Sequence, residues 1–204
     1  MKRGTLPIRY EIENTDVAGS SSELKAVCAV VQAAGKIKRQ VGSFAAVCNT
    51  PISVASGVGE VPVLAIRPAA TFKGVTNKVL TVPTEFHVIS DASASGIFNV
   101  RIRNLCFTNG GSYTGVSTAS ATEVNHNPTG IFISGVVQYA APIKGGADYD
   151  HSFETFTETR QASLVTSVLS DNTTQPPIVI TVEGVSAGAT GNFFATMNYD
   201  EMVY

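Results

Sequence analysis

Apolar and polar residues alternate one by one along several stretches of this chain, and this period of two is the feature that most restricts its fold. The clearest case is residues 97–104, IFNVRIRN, where Phe98, Val100 and Ile102 alternate with polar side chains. Residues 6–13 repeat the pattern. Since successive side chains of a β-strand point to opposite faces, the pattern predicts strands with one face in a core and the other in water.

The rest of the chain also favours strands, separated by segments rich in Gly, Asn, Asp and Pro. Pro83 lies inside one of them and indicates an edge strand or a break, because proline cannot donate a hydrogen bond to a sheet ladder. The further predicted strands cover residues 24–34, 61–68, 78–90, 130–140, 162–170, 177–185 and 192–200. Of these, residues 24–34 also fit a short helix.

Short strands with turn-rich connections are typical of an antiparallel β-sandwich or a jelly roll, so the sequence predicts an all-β fold. We expect one domain over residues 1–204, with a seam near residues 68–72 if the chain forms two. The apolar sides of the predicted strands give a candidate core: Ile8, Tyr10, Ile12, Val63, Ile66, Phe98, Val100, Ile102, Ile178 and Ile180.

The charge pattern argues against nucleic-acid and membrane partners. Charged residues make up 15% of the chain, the formal net charge is −2, and no run of basic residues exceeds the pair Lys38 and Arg39. Such a chain has no positive field to attract phosphates or anionic lipids. Lys2 and Arg3 precede no apolar signal-peptide core, and no run of eighteen apolar residues occurs. We therefore expect no nucleic acid, no membrane and no signal-peptide export.

The cysteines do not indicate a disulfide-rich secreted scaffold. Cys28, Cys48 and Cys106 are too few and too widely spaced for a disulfide framework, and an odd number leaves at least one thiol free. Cys28 and Cys106 lie in apolar, strand-like surroundings, where cysteine usually behaves as a small buried hydrophobe.

The reactive residues form no recognisable catalytic pattern. The chain has no GxSxG elbow, no phosphate-binding loop and no dinucleotide fingerprint. His87 is in phase with Glu85 and Ile89 in a predicted strand, as a packed or half-exposed sheet residue is. The acidic segment 147–158 fits neither an EF-hand nor a zinc signature. We therefore predict no catalytic residues, metal or cofactor, and no enzyme; a hydrolase using Glu154 is a minor alternative.

Three strings resemble a known family. LPIRYEIENT (6–15), followed by a Ser-rich turn and LKAVCAVV, resembles a phrase of tailed-bacteriophage structural proteins in which an LPxRYEIENT strand precedes a Ser/Thr turn and a Cys-containing strand. PVLAIRPAATFKGVTNKV (62–79) resembles their IRPxxTFxGVTNR stretch. FNVRIRN falls where they carry a strand that leads to a variable loop. Order and spacing agree over about residues 5–140.

The resemblance implies a non-enzymatic structural protein of a tailed phage, in the capsid decoration, tail or fibre, which assembles in the host cytoplasm and resides in the virion. Its implied partners are copies of itself, with a trimer favoured, and other virion proteins. Release by lysis reconciles a β-rich, low-charge surface with the missing export signal. We expect a neighbouring subunit to complete or cover the sheet at residues 6–13, since an exposed edge strand is an aggregation hazard.

The alternative is a receptor- or carbohydrate-binding module at a fibre tip, with a host surface glycan as its partner. The candidate contact residues lie in predicted loops: Tyr113, His126, Tyr149 and Asp150. The chain has no Trp and only six Tyr, which weakens this alternative because sugar sites usually use exposed aromatic faces.

Overall fold

The computed structural model describes residues 39–48, 50–104, 112–128, 135–152 and 177–203; for 39–41, 149–152 and 203 it describes the backbone alone. All of them belong to one unit, Lys38–Tyr204. They form thirteen strands: β1 (Arg39–Val47), β2 (Ile52–Ala55), β3 (Glu60–Pro68), β4 (Thr71–Phe72), β5 (Val75–Thr76), β6 (Val79–Ser90), β7 (Ile97–Asn104), β8 (Thr114–Gly115), β9 (Thr122–Asn125), β10 (Val136–Lys144), β11 (Asp148–Ser152), β12 (Ile178–Gly184) and β13 (Thr190–Val203).

Two antiparallel sheets contain most of these strands. The five-stranded sheet has the order β1-β13-β6-β11, and β2 pairs with β13 beyond the end of β1. The six-stranded sheet has the order β10-β7-β12-β3-β9-β8. β4 and β5 form a separate hairpin.

The strand pairs are nested. β1 pairs with β13 and β6 with β11 in the five-stranded sheet, while β3 pairs with β12 and β7 with β10 in the six-stranded sheet. Each pair along the chain thus encloses the next, which is the strand arrangement of a jelly roll. The predicted fold class, an all-β antiparallel sandwich of the jelly-roll kind, is confirmed.

The core lies between the two sheets. Phe98 on β7 and Phe193 on β13 meet there edge to face, with ring centroids 4.7 Å apart. The predicted core residues that the structure describes are at most 1% exposed: Val63, Ile66, Phe98, Val100, Ile102, Ile178 and Ile180. Burial of such side chains stabilises a fold by about 25 cal/mol per Å² of apolar surface. The other three, Ile8, Tyr10 and Ile12, lie outside the described residues.

The predicted break at Pro83 does not occur, but among the described strands Pro83 itself lies at a local edge of the sheet. β6 runs through Pro83 and lies between β13 and β11. The register with β13 shifts between Asn198 and Tyr199, a bulge next to the proline. β11 reaches only as far as Glu85, so the described strands place no ladder partner on the other side of Pro83. The bulge and this local edge together tolerate the missing N–H.

β1 has no clear hydrophobic alternation, and the sequence pattern does not predict it. Small residues occupy both of its faces, and among its residues with described side chains Ala46 lies in the core and Phe44 packs against it. The Phe44 ring stacks on Tyr199 at a centroid distance of 5.9 Å. Pairing along β13 therefore decides that this segment is a strand.

Residues 62–79 cover most of β3, the β4–β5 hairpin and the start of β6. The two residues at the hairpin tip, Lys73 and Gly74, have φ angles of 51° and 79°. Both values lie in the left-handed region that a type I′ turn requires.

Asn77 anchors the base of this hairpin. Its side-chain Nδ2 donates hydrogen bonds to the carbonyl oxygens of Ala69 and Ala121, at 2.9 and 2.8 Å, and its Oδ1 accepts one from the Val79 N–H at 2.9 Å. Asn77 is 3% exposed. The hairpin therefore projects from a fixed base.

Some predictions fall beyond the described residues. The strands predicted over residues 6–13, 24–34 and 162–170 lie there, as does Glu154. One domain over residues 1–204, with a seam near 68–72, therefore stays a prediction. Within the described ranges, no helix has the length and apolar character needed to cross a membrane.

Candidate functional site

The outer face of the five-stranded sheet carries an open depression. Its apolar lining comes from Val47, Ile89 and Phe194, and its polar side chains are His87 and Thr196. Val47 and Ile89 are 37% and 46% exposed. The sheet thus presents apolar surface to solvent beside two hydrogen-bonding side chains.

The strand register builds this depression. Thr196 on β13 lies opposite Val47 on β1 and opposite His87 on β6, and Phe194 lies opposite Ile89. Directly opposite side chains of antiparallel strands share a face, with Cβ atoms roughly 4.5–5.5 Å apart. Residues distant in sequence therefore form one surface. Sequence analysis missed it because each of them alone is an ordinary outward position.

His87 adjoins a carboxylate at the edge of the depression. Its Nε2 lies 3.2 Å from Glu85 Oε2, and Asn198 Nδ2 donates to the same oxygen at 2.9 Å. The hydrogen bond from Asn198, followed by that from His87, lowers the pKa of Glu85. The expected half-exposed sheet histidine is confirmed. The depression can therefore offer a ligand apolar contact beside an imidazole and a charged carboxylate.

Tyr149 and Asp150 lie in β11, so their prediction as loop residues is wrong. Asp150 is the register partner of His87, and Tyr149 is the partner of Val88. An acidic stretch forms a strand here because the antiparallel ladder with β6 satisfies its backbone groups. The structure thus brings position 150 next to the depression.

His126 is exposed in the bend that follows β9, as its loop prediction requires. Its Nδ1 lies 2.7 Å from the carbonyl oxygen of Val47, and its own carbonyl accepts a hydrogen bond from the Cys48 thiol at 3.1 Å. Burial raises the pKa of the Cys48 thiol, which is free and 1% exposed. His126 therefore fastens this bend to the end of β1, at the rim of the depression.

Tyr113 lies on the other sheet and does not join the depression. It packs on Ala65 and Val179 at the outer face of the six-stranded sheet. The guanidinium carbon of Arg67 lies 3.8 Å from the centre of its ring, and Arg67 Nε donates to Glu123 Oε2 at 3.0 Å. Such a cation–π contact covers one face of the tyrosine ring.

A network of two glutamates and two arginines lies on the same outer face. Arg103 binds Glu60 in a bidentate manner, with Nε to Oε2 at 2.6 Å and Nη2 to Oε1 at 2.5 Å. Arg101 Nη1 bridges Glu60 Oε1 at 2.9 Å and Glu183 Oε2 at 2.6 Å. The Thr181 hydroxyl donates to Glu60 Oε2 at 3.1 Å. The four charged side chains are 15–29% exposed.

Glu60 is held in its charged form. Burial by itself would raise its pKa, but the hydrogen bond from Arg103 and the charges of Arg101 and Arg103 outweigh burial and lower the pKa. Both carboxylate oxygens accept from arginine. This geometry indicates a structural role rather than proton transfer, because both carboxylate oxygens of Glu60 are already engaged in ion pairs.

Another polar cluster, centred on Glu201, lies between the sheets. Glu201 is 0% exposed, and its Oε1 accepts hydrogen bonds from Ser120 Oγ, the Ala121 N–H and Thr122 Oγ1 at 2.7, 2.8 and 2.9 Å. The Tyr199 hydroxyl lies 2.9 Å from Ser120 Oγ. Burial raises the pKa of Tyr199 to about 12. The hydrogen bond with Ser120 opposes this rise, and the charge of Glu201 adds to it. The cluster fastens the segment before β9 to β13.

In the described ranges, no group of three or more His, Cys, Asp or Glu side chains is arranged to hold a metal ion. Residues 153–176, which include Glu154 and Glu158, lie outside those ranges. The predicted lack of a metal, a cofactor and catalytic residues therefore stays a prediction.

The sequence matches no protein-family model and no curated protein. Among solved structures, a chain of infectious bursal disease virus, Gt strain, aligns with a TM-score of 0.36 and 14% identity, over 83% of this chain and 34% of the viral chain. A chain of the Gx strain aligns with a TM-score of 0.18 and 12% identity, over 81% and 41%. This chain thus spans less than half of either viral chain. Similarities of this size assign it to no family.

Proposed function

We propose that this chain is a non-enzymatic structural protein of a virus particle, working through symmetric association with copies of itself and with other particle proteins. The sequence strings favour a tailed-phage capsid decoration, tail or fibre protein, with the virion as its location. The jelly-roll fold is compatible with this role, since such folds occur in viral capsid and lectin domains. Fold alone does not decide function, so the surface has to support the choice.

The proposal rests on apolar side chains that are exposed on rigid parts of the molecule. They lie on strands or in tight turns, at 37–68% exposure: Val47, Val58, Ile89, Ile97, Val136, Val137 and Val185. Single exposed hydrophobes are common on monomers, but groups of them mark interaction surfaces. Because strand backbone cannot rearrange to bury these side chains, a partner is the natural cover.

The edge of the six-stranded sheet adds to this support. In the described part of the chain β10 is the last strand of that sheet, and Val136 and Val137 on it are 52% and 39% exposed. An edge strand presents unpaired backbone groups that can bind a further strand. By contrast, the carboxylates of Glu60 and Glu201 are engaged within the chain.

The mass of the purified chain in solution tests the proposal. We expect a discrete oligomer, with a trimer favoured, in sedimentation velocity and native mass spectrometry over a range of concentrations. A monomer at every concentration would contradict it, and release of reducing sugar from host polysaccharide would support the hydrolase alternative instead.

The depression on the five-stranded sheet favours a second candidate function, binding of a host receptor or glycan. Phe194 supplies an aromatic side chain there, and His87 and Thr196 supply hydrogen-bonding groups. A glycan array separates the two functions, because a purely structural protein should bind nothing on it. If the chain does bind a glycan at the depression, Phe194→Ser should abolish binding and the distant Val75→Ser should not.

A further inference from the structure

Four short turns close one end of the sandwich, which we name the short-turn end. They connect β2 to β3, β6 to β7, β10 to β11 and β12 to β13, over residues 56–59, 91–96, 145–147 and 185–189. Asp91 is the one charged residue in these four turns, all of which the structure describes. The opposite end differs, since the connection 69–78 carries Lys73 and Lys78, both exposed.

Three branched apolar side chains project from the short-turn end. Val58 is 68% exposed, Ile97 50% and Val185 46%. The Val185 N–H donates to the Ile97 carbonyl oxygen at 2.9 Å, so these two residues adjoin. Val58 belongs to the turn whose Ser56 forms a bridge with Gly184, the residue before Val185. All three side chains therefore lie around the start of the β12–β13 turn.

Folding alone does not explain Val58. It lies between Gly57 and Gly59, whose φ angles of 80° and 83° place both in the left-handed region. Turns of this kind usually carry polar residues. With about two thirds of its side chain exposed, Val58 adds little to the core. A valine at this position instead offers apolar surface to a partner.

The short-turn end is rigid because its turns are fastened to one another. The Ser56 N–H donates to the Ala189 carbonyl at 2.7 Å, and the Gly145 N–H donates to the Gly96 carbonyl at 2.9 Å. A Cβ atom at Gly145 would lie 2.7 Å from the backbone of Ala94, so neighbouring turns touch backbone to backbone. A surface that is already ordered loses little conformational entropy when it binds.

We propose that the short-turn end is the surface through which copies of this chain associate around a rotation axis. This inference rests on the proposed function and names its contact surface. The charge distribution favours a second copy as the occupant. Lys144 and Asp148 are exposed on either side of residues 145–147 and carry opposite charges around an almost uncharged centre. When the short-turn ends of two copies meet, Lys144 of one copy can face Asp148 of the other.

This distribution matches what is general for interfaces, whose centres are depleted of charge and whose rims are polar. Rotational symmetry then repeats each contact once per subunit, so that modest contacts close a stable ring. A strongly charged partner would find no complementary field at this surface.

A matched pair of valines tests the proposal. Val75 is 66% exposed in the β4–β5 hairpin, at the other end of β3, so it resembles Val58 in residue type and exposure but not in location. The full-length wild type, Val58→Asp and Val75→Asp are compared by sedimentation velocity over a concentration series, with circular dichroism to check the fold. We expect Val58→Asp to raise the dissociation constant about tenfold or more. Val75→Asp should keep the wild-type value.

Val185→Ser is a second, milder variant that should weaken association in the same direction, and it decides the matter if Val58→Asp misfolds. If both variants associate like the wild type, the short-turn end is not the contact surface, while the proposed self-association stands. Loss of association in Val75→Asp alone would place the contact at the opposite end. A wild-type chain that stays monomeric would instead overturn the proposed function itself.

Discussion

Glu60 and Glu201 are two carboxylates that the fold removes largely from water, and each is satisfied in a different way. Glu60, on the outer face of the six-stranded sheet, binds Arg101 and Arg103. Glu201, between the sheets, accepts hydrogen bonds from two hydroxyls and a backbone N–H. One site pairs charge with charge, and the other surrounds a charge with neutral donors.

The difference indicates that the available hydrogen-bond donors, more than the position on the outer face or between the sheets, decide where this fold tolerates a carboxylate. Near the surface, long arginine side chains can lie along the sheet and remain partly hydrated. Between the sheets, the short donors of residues 120–122 reach Glu201 instead. An ionised group without either arrangement would meet the full cost of desolvation.

The largest expected effect comes from placing a carboxylate where neither arrangement exists. Val100 is 0% exposed within the apolar core. Val100→Asp should therefore lose at least about 4 kcal/mol of stability and abolish soluble assembly. Soluble yield and circular dichroism measure this, with Val136→Asp, at a position 52% exposed, as the control that folds. A folded Val100→Asp would contradict the assignment of β7 to the core.

Removal of the buried carboxylate should have the next largest effect. Glu201→Ala leaves the donors at Ser120, Ala121 and Thr122 without their acceptor, at a cost of about 2–4 kcal/mol. Urea unfolding of this variant is compared with that of Asp200→Ala, which changes the neighbouring residue on the outward side of β13. Equal stability of the two variants would show that the buried cluster contributes nothing beyond surface charge.

The surface network should respond somewhat less. Glu60→Ala leaves Arg101 and Arg103 without their shared acceptor, and we expect a loss of about 2–3 kcal/mol in the free energy of unfolding. Glu183→Ala is the matched control, because Glu183 contacts Arg101 alone among these arginines and is 29% exposed. A greater loss in Glu183→Ala than in Glu60→Ala would reverse our assignment of Glu60 as the centre of the network.

The last expected effect is absent near neutral pH and appears only at alkaline pH. The pKa of Tyr199 is raised to about 12, so the folded state holds this proton more tightly than the unfolded state, whose tyrosine titrates near pH 10. Its contribution is fully present below about pH 10 and is lost as the pH rises through 12, a decrease of about 3 kcal/mol. Unfolding curves over this range measure it. Tyr199→Phe should show a flatter dependence, and an unchanged slope would contradict the assignment.

The inner faces of several strands could be predicted from the sequence. In β7 the buried residues Phe98, Val100 and Ile102 follow the period of two. β12 does not alternate, since Val179 and Thr181 are buried as fully as Ile178 and Ile180. Alternation is a local property of strand geometry, so it can be recognised without knowing which strands pair.

Strand partners could not be predicted in this way. The Ser43 hydroxyl donates to Asp200 Oδ1 at 2.7 Å across a separation of 157 residues. Neither segment carries a local signal that names the other. Contacts of such range form only when the enclosed strands have packed, because the entropy of closing a long loop must be offset by the whole core.

The candidate site was predictable only in fragments. His126 and Asp150 were chosen from the sequence, but Phe194, Ile89 and Val47 were not, although they form the apolar lining. An outward apolar residue on one strand is common, and it becomes a surface feature only when neighbouring strands place others beside it. Tyr113 shows the converse, since it was grouped with the other candidates and lies on the opposite sheet.

The sequence by itself determined that this protein is built of strands, which side of each clear strand is apolar, and that its charge is low. These properties follow from side-chain chemistry at a spacing of two residues. Only the tertiary structure decided which strands are neighbours, which arginine meets which glutamate, and that four turns with a single charged residue, Asp91, share one end. Such relations depend on the register and packing of segments far apart in the chain, where no local pattern carries the information.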